Sequence, residues 1–200
     1  MSSRVDELFD RLAALEREIE TELNQARAHW RYRIEAGRVR FEHDVRHAHR
    51  KLKQSAFRFL RESNFASVVT APVIYSLILP IGLLDLWVSV YQSICFRAYG
   101  IARVRRSAYI VLDRQHLAYL NWIEKINCVY CGYSNGVFAY VREVAARTEQ
   151  YWCPIRHAKR VVAPHAHYRE FVDYGDAQGY RRRLIRLRGE LKHETHARDH

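Results

Sequence analysis

The sequence predicts an all-α protein: a long N-terminal amphipathic helix, an apolar membrane hairpin or kinked span, and a small metal-stabilised C-terminal helical domain. Three observations carry that expectation. Apolar residues recur at helical spacing in a stretch from Ser3 to Leu60 that has no proline and one glycine, Gly37. From Phe65 to Phe96 there is no lysine or arginine and a single acid, Asp85. Three of the four cysteines fall, with a histidine, at metal-ligand spacing.

Residues 1–62 read as an amphipathic, then basic, helical region. Ser3 with Asp6 or Glu7 is a start signal. Val5, Leu8, Leu12, Leu15, Ile19 and Leu23 form one stripe, either a face packed on the rest of the chain or a short coiled coil. A homo-oligomer through this helix is therefore one expected association. Trp30 breaks the aliphatic pattern, and the strongly basic continuation from Arg31 to Lys53 is expected to stay helical. His43 and His47 share a helix face and read as solvated side chains.

Residues 63–97 read as the membrane segment. Between Glu62 and Asp85 lie 22 uncharged residues, enough for a bilayer crossing on length. Pro72 and Pro80 each remove a helix donor, and Pro80-Ile81-Gly82 predicts a break near the middle. The two arms would each reach roughly 22 Å, short of a hydrocarbon core of about 30 Å. Arg50, Lys51, Lys53, Arg58 and Arg61 precede the segment, and Arg97, Arg103, Arg105 and Arg106 follow it. Positive residues mark the cytoplasmic side, so basic flanks at both ends favour a re-entrant hairpin over a single span. Asp85 is costly there unless paired, which makes it a partner-binding residue or a sign of shallower insertion. Trp87, Tyr91 and Tyr99 fit an interfacial aromatic belt, and Cys95 reads as buried.

Residues 98–175 read as a helical domain around a Cys3His site. Cys128 and Cys131 form a Cys-x2-Cys pair, and Cys153 and His157 form a Cys-x3-His pair after a spacer. Thiolate and imidazole ligands at such spacings suit tetrahedral Zn2+, with an iron–sulfur cluster as the alternative. Gly132 stands where covalent haem attachment needs histidine. Four protein ligands leave no open position, which makes the metal structural. The segment Cys128-Val129-Tyr130-Cys131-Gly132-Tyr133 resembles the knuckle of a rubredoxin or zinc-ribbon site over those few residues. A helix from about Gly136 to Gln150 is expected between the pairs, with Ser134-Asn135-Gly136 and Tyr151-Trp152 as flanking loops. His165 or His167 could replace His157 as the fourth ligand. Residues 176–200 read as a basic amphipathic tail, in which Arg181, Arg182, Arg183, Arg186 and Arg188 alternate with Leu184, Ile185, Leu187 and Leu191.

The net charge of +11 suits anionic membrane lipid, nucleic acid or an acidic protein. Basic clusters beside the apolar segment favour lipid and make nucleic acid an unlikely partner. Thiols held as metal ligands imply a reducing compartment, so the metal domain is expected on the cytoplasmic side of a membrane. No Gly-x-Gly-x-x-Gly, P-loop, Gly-x-Ser-x-Gly or His-Glu-x-x-His is present, and no catalytic residue is assigned. The expected function is a membrane-attached, zinc-stabilised scaffold or adaptor for an unidentified protein partner, with Tyr130, Tyr133, Tyr151 and Trp152 as candidate anchors. The alternatives are a metal-dependent membrane redox enzyme and a zinc-dependent nucleic-acid-binding protein.

Overall fold

The N-terminal stripe forms a long helix, α1 (Ser3–His29), in a computed structural model that describes residues 3–29, 32–35, 38–41 and 43–193. Trp30, Gly37, the side chain of His43 and residues 194–200 lie outside the described ones. Helices dominate the described residues, in keeping with an all-α chain. The chain divides into two compact units, residues 1–62 with 113–126 and residues 63–112 with 127–200.

In the first unit, Leu8, Leu12, Leu15, Ile19 and Leu23 of α1 are exposed, so the stripe is not used against the chain's own core. The helix does not run on through the basic continuation. Strands β1 (Tyr32–Glu35) and β2 (Arg38–Phe41) form an antiparallel hairpin, with Tyr32 opposite Phe41 and Ile34 opposite Val39. Arg38-Val39-Arg40-Phe41 alternates with a period of two, and its β-branched and aromatic residues favour a strand. Helices α2 (His43–Lys51) and α3 (Ala56–Glu62) follow. The Ser55 hydroxyl accepts the Arg58 N–H at 3.2 Å and opens α3.

In the second unit, α4 (Phe65–Ser76), α5 (Ile78–Tyr91), a π-helical turn (Gln92–Phe96) and α6 (Arg97–Tyr99) form one rod of 35 residues. This corrects the expected hairpin. Pro80 is the third residue of α5, within the first turn, where backbone N–H groups have no helical acceptor in any case. The proline therefore costs little and starts a new helical segment instead of reversing the chain. The side chain of Asn64 caps α4 by accepting the Ala66 N–H at 3.0 Å. The reversal comes later, at Gly100, whose φ of +69° is the left-handed conformation glycine adopts cheaply. The Ile101 N–H reaches the Phe96 carbonyl at 2.8 Å and the Gly100 N–H reaches that of Arg97 at 3.4 Å, the paired bonds of a Schellman cap.

From Gly100 the chain runs back along α5 and passes through the short helix α7 (Arg106–Tyr109). Helix α8 (Trp122–Trp152) is 31 residues long. Asn121 and Glu124 box its start: the Asn121 side chain accepts the N–H groups of Ile123 and Glu124, and Glu124 accepts that of Asn121. The residues expected as loops, Ser134-Asn135-Gly136 and Tyr151-Trp152, lie inside this helix. Asn135 bonds to the carbonyl of Cys131 on its own helix at 2.9 Å and so does not break it. Gly136 serves packing: a Cβ there would lie 2.8 Å from Ile110 Cα and 2.8 Å from the Tyr109 carbonyl oxygen.

After α8, residues Ile155 and Val172 pair in a single bridge around a 3-10 turn (Ala166–Glu170), and α9 (Ala177–His193) ends the described chain. The expected amphipathic tail is helical. Its Leu187 and Leu191 are fully buried, so much of its apolar side is used inside the unit. Leu191 joins Phe96, Ile101, Val104, Tyr140 and Val144 in the core.

Gly136→Ala forces the return segment away from α8 and is expected to lower stability by about 1–3 kcal/mol. Gly189→Ala on α9, where no atom lies within 4 Å of the added carbon, should be neutral or stabilising by up to about 1 kcal/mol. Thermal unfolding followed by circular dichroism in mild detergent compares the two.

Candidate functional site: the two faces of the apolar helix

Ile81, Asp85, Gln92 and Phe96 are the buried residues of α5 and its π turn, and their spacing puts them on one face. Leu79, Leu83, Leu86, Trp87, Val90 and Ile94 lie on the opposite face and are exposed, Leu79 by 75% and Trp87 by 70%. In α4 no residue is buried, and Phe65, Val69 and Val73 continue the exposed apolar surface. A soluble core helix of this composition would be enclosed. Here the share of the rod's most apolar window buried inside the protein is 6%.

The polar groups of the packed face are all engaged. Asp85, 6% exposed, takes Arg106 Nε at 2.8 and 3.1 Å and Arg106 Nη2 at 2.5 Å, and the Tyr133 hydroxyl donates to it at 2.8 Å. A carboxylate held by a forked guanidinium and a phenol is both neutralised and hydrogen-bonded, which an acid on an apolar helix requires. Two turns beyond, the Gln92 side chain accepts the Val104 N–H at 3.0 Å and donates to the Tyr140 hydroxyl at 2.6 Å. Ser89 also meets Tyr140, and Tyr91 meets Thr148. Tyr130 donates to the Ile74 carbonyl at 2.8 Å, and Tyr75 donates to Asn127. Helix α8 therefore runs parallel to the rod, residue 127 beside 75 and residue 148 beside 91.

The four expected metal ligands are not brought together. Cys128 and Cys131 sit three residues apart on α8, and Cys153 directly follows its other end, its N–H still bonded to the Glu149 carbonyl at 2.7 Å. At 1.5 Å per residue the helix separates Cys131 from Cys153 by about 33 Å, whereas two thiolates on one zinc lie within about 4 Å of each other. The knuckle expected from the Cys-x2-Cys spacing is a stretch of helix: Gly132 is buried inside α8 and turns nothing, and Gly136 serves close packing. The His157 ring stacks on Tyr168. Among the described residues no group of three or more His, Cys, Asp or Glu is placed to hold a metal ion. All four cysteines are free thiols, Cys131 and Cys153 exposed and Cys95 and Cys128 half-buried.

The histidines kept as substitute ligands are committed elsewhere. His165 Nε2 meets Glu149 at 2.9 Å. His167 is buried, with Nδ1 2.6 Å from the Gln150 side-chain oxygen and Nε2 3.1 Å from Glu143. Arg147 reaches the same Glu143 oxygen at 2.8 Å and the Ala102 carbonyl at 2.9 Å, and Gln150 donates to the Leu187 carbonyl at 3.0 Å. This cluster ties α8 to the return segment, the 3-10 turn and α9. Burial pushes the Glu143 carboxyl up, but the hydrogen bonds from His167 and Arg147 and their charges outweigh it and hold the group at about 2.

Of the candidate anchors, Tyr130, Tyr133 and Tyr151 are engaged within the unit. Tyr151 stacks on Tyr99 at 5.1 Å and carries the Arg188 guanidinium over its ring at 4.7 Å. Trp152 keeps half its surface exposed. Arg106, Tyr133 and Gln92 were not singled out by sequence as a set. The available signal was that Asp85, alone among apolar neighbours, demands a cation, and Arg106 is in the first basic cluster that can fold back to it. The chain matches no protein-family model, no curated protein and no solved structure.

Two outcomes follow from this geometry. Because the folded pKa of Glu143 lies below the ordinary carboxylate value, its contribution is complete above about pH 4.5 and is lost as pH falls toward 2. The loss is on the order of 3 kcal/mol, and Glu143→Gln should remove that part of the acid dependence in detergent-solubilised unfolding curves. Cys131→Ser and Cys153→Ser, and incubation with a strong zinc chelator, should each leave the unfolding midpoint within about 2 °C of the untreated protein. A large drop on chelation would show that α8 breaks to build a metal site.

Proposed function

We propose that the protein is a membrane-attached helical scaffold or adaptor, with the rod Phe65–Tyr99 as its attachment element. The observation that carries this is the uninterrupted apolar face of Leu79, Leu83, Leu86, Trp87, Val90 and Ile94, exposed on a helix whose other face is fully packed. A contiguous apolar surface of this length marks a lipid or protein contact. Exposed Arg97, Arg103 and Arg105 border it, which favours anionic lipid, each basic residue near such a surface contributing about 1 kcal/mol. The exposed stripe of α1 gives the reading its second half, a surface for another copy of the chain or a different protein. Zinc plays no part in this reading, since α8 keeps its proposed ligands apart. Attachment on the cytoplasmic side agrees with basic flanks at both ends of the rod.

Flotation with phosphatidylcholine/phosphatidylserine vesicles tests attachment. The protein is expected to float with the vesicles and to release partly at high salt. Leu83→Asp with Leu86→Asp, two exposed positions, should lower partitioning by at least tenfold without loss of helicity. Failure of the unaltered protein to float would sink the proposal, and salt-sensitive capture by single-stranded RNA instead would replace it with nucleic-acid binding.

A further inference from the structure

We infer that the rod Phe65–Tyr99 lies in the plane of one anionic leaflet, its apolar face sunk among the acyl chains, and does not cross the bilayer; the inference rests on the membrane attachment proposed above. A helix that crosses a membrane meets lipid or protein on every side at each depth. This rod has instead two opposed faces along the length of α5. One carries Asp85 and Gln92 into protein, and the other carries Leu83, Trp87 and Ile94 outward. That division suits an interface, where protein lies above the helix and lipid below it.

The charges lie at levels a crossing helix forbids. Arg103 donates to the Ser93 hydroxyl at 3.0 Å. Ser93 is one residue, about 100°, round the helix from Gln92, between the packed face and the apolar one. An exposed arginine is thus held at the border of the apolar strip, where a headgroup phosphate would meet it. Arg105 is exposed beside it, and Arg106 is bound to Asp85 in mid-rod. The rod is 35 residues, about 52 Å, against a hydrocarbon thickness of about 30 Å.

A crossing of about 20 residues avoids Asp85 only if it uses Phe65 to Leu84. That choice puts Ile74 and Tyr75 at the bilayer midplane, together with Tyr130 and Asn127 of α8, which are bonded to them. The Asn127 carboxamide and the hydroxyls of Tyr75 and Tyr130 would then lie in hydrocarbon, where polar side chains are costly. Every other window of the rod takes in Asp85 and, bound to it, Arg106. In the plane of the leaflet none of these groups has to leave the interface.

The test measures the two ends of the rod separately. Full-length protein is translated in the presence of sealed microsomes, with its four cysteines replaced by serine and one cysteine restored by Ser63→Cys or Ala98→Cys. The microsomes are floated and treated with a membrane-impermeant maleimide. Both positions are expected to label as fully as they do after detergent lysis. Protection of one end until lysis would overturn the in-plane arrangement and leave attachment standing, whereas failure to float would overturn both. A second readout needs no cysteine replacement. In purified protein whose tryptophans are replaced by phenylalanine, Leu79→Trp and Ile94→Trp should be quenched most strongly by the same bromine position in brominated-lipid vesicles. Depths differing by about 20 Å, as 1.5 Å per residue requires of a crossing helix, would overturn the inference.

Discussion

The acid at position 85 has to be neutralised where it stands, and that requirement shapes the second unit. Its guanidinium partner is 21 residues further on, at Arg106, beyond the end of the helix that carries the acid. To bring it back, the chain must reverse soon after Tyr99 and return along the helix it has just left. Gly100 makes the reversal with a left-handed φ, and Ile101 and Val104 pack into the core on the way. The returning segment then has to fit between α5 and α8. Gly136 leaves room for the backbone of Tyr109 and Ile110, and Tyr133, less than one turn earlier on α8, gives the carboxylate its third partner. Ion pair, reversal and glycine contact form one set of mutually dependent features.

The same logic explains why the rod has two unlike faces although its composition is apolar all round. Few side chains on it are polar, but Asp85, Ser89 and Gln92 fall within one sector, and each finds a partner on α8 or on the return segment. With the polar sector enclosed, the remaining surface is hydrocarbon and stays exposed. At the other end of α8 a second buried cluster, Glu143, Arg147, Gln150 and His167, fixes α9 and the 3-10 turn against the helix. One long helix thus carries two polar anchor points, one for the apolar rod and one for the C-terminal elements.

Sequence spacing misled where a residue type serves two purposes. Cys-x2-Cys followed by glycine is a metal knuckle when the glycine turns the chain. Here Gly132 stays inside α8, and the glycine about one turn further on, Gly136, admits the backbone of Tyr109 and Ile110, more than 20 residues away in sequence. Proline inside a helix costs a hydrogen bond, which is why Pro80 predicts a break on sequence alone. Its position in the first turn of α5 removes most of that cost, and helix starts are set by their context. The basic run after α1 carries a strand alternation in Arg38-Val39-Arg40-Phe41 that a helical reading of its charge obscured.

What the sequence alone determined is local and compositional: a helical chain, an N-terminal apolar stripe at spacings of three and four, an uncharged stretch with one acid, and basic residues on either side of it. These depend on side-chain chemistry within one or two helical turns, which a linear reading captures. Which side chains meet was decided only by tertiary structure. The pairing of Asp85 with Arg106 follows from the reversal at Gly100, and the separation of Cys131 from Cys153 and the enclosure of His167 follow from α8 staying helical from Trp122 to Trp152. That continuity rests on packing against segments distant in the chain, whose contribution no local spacing records.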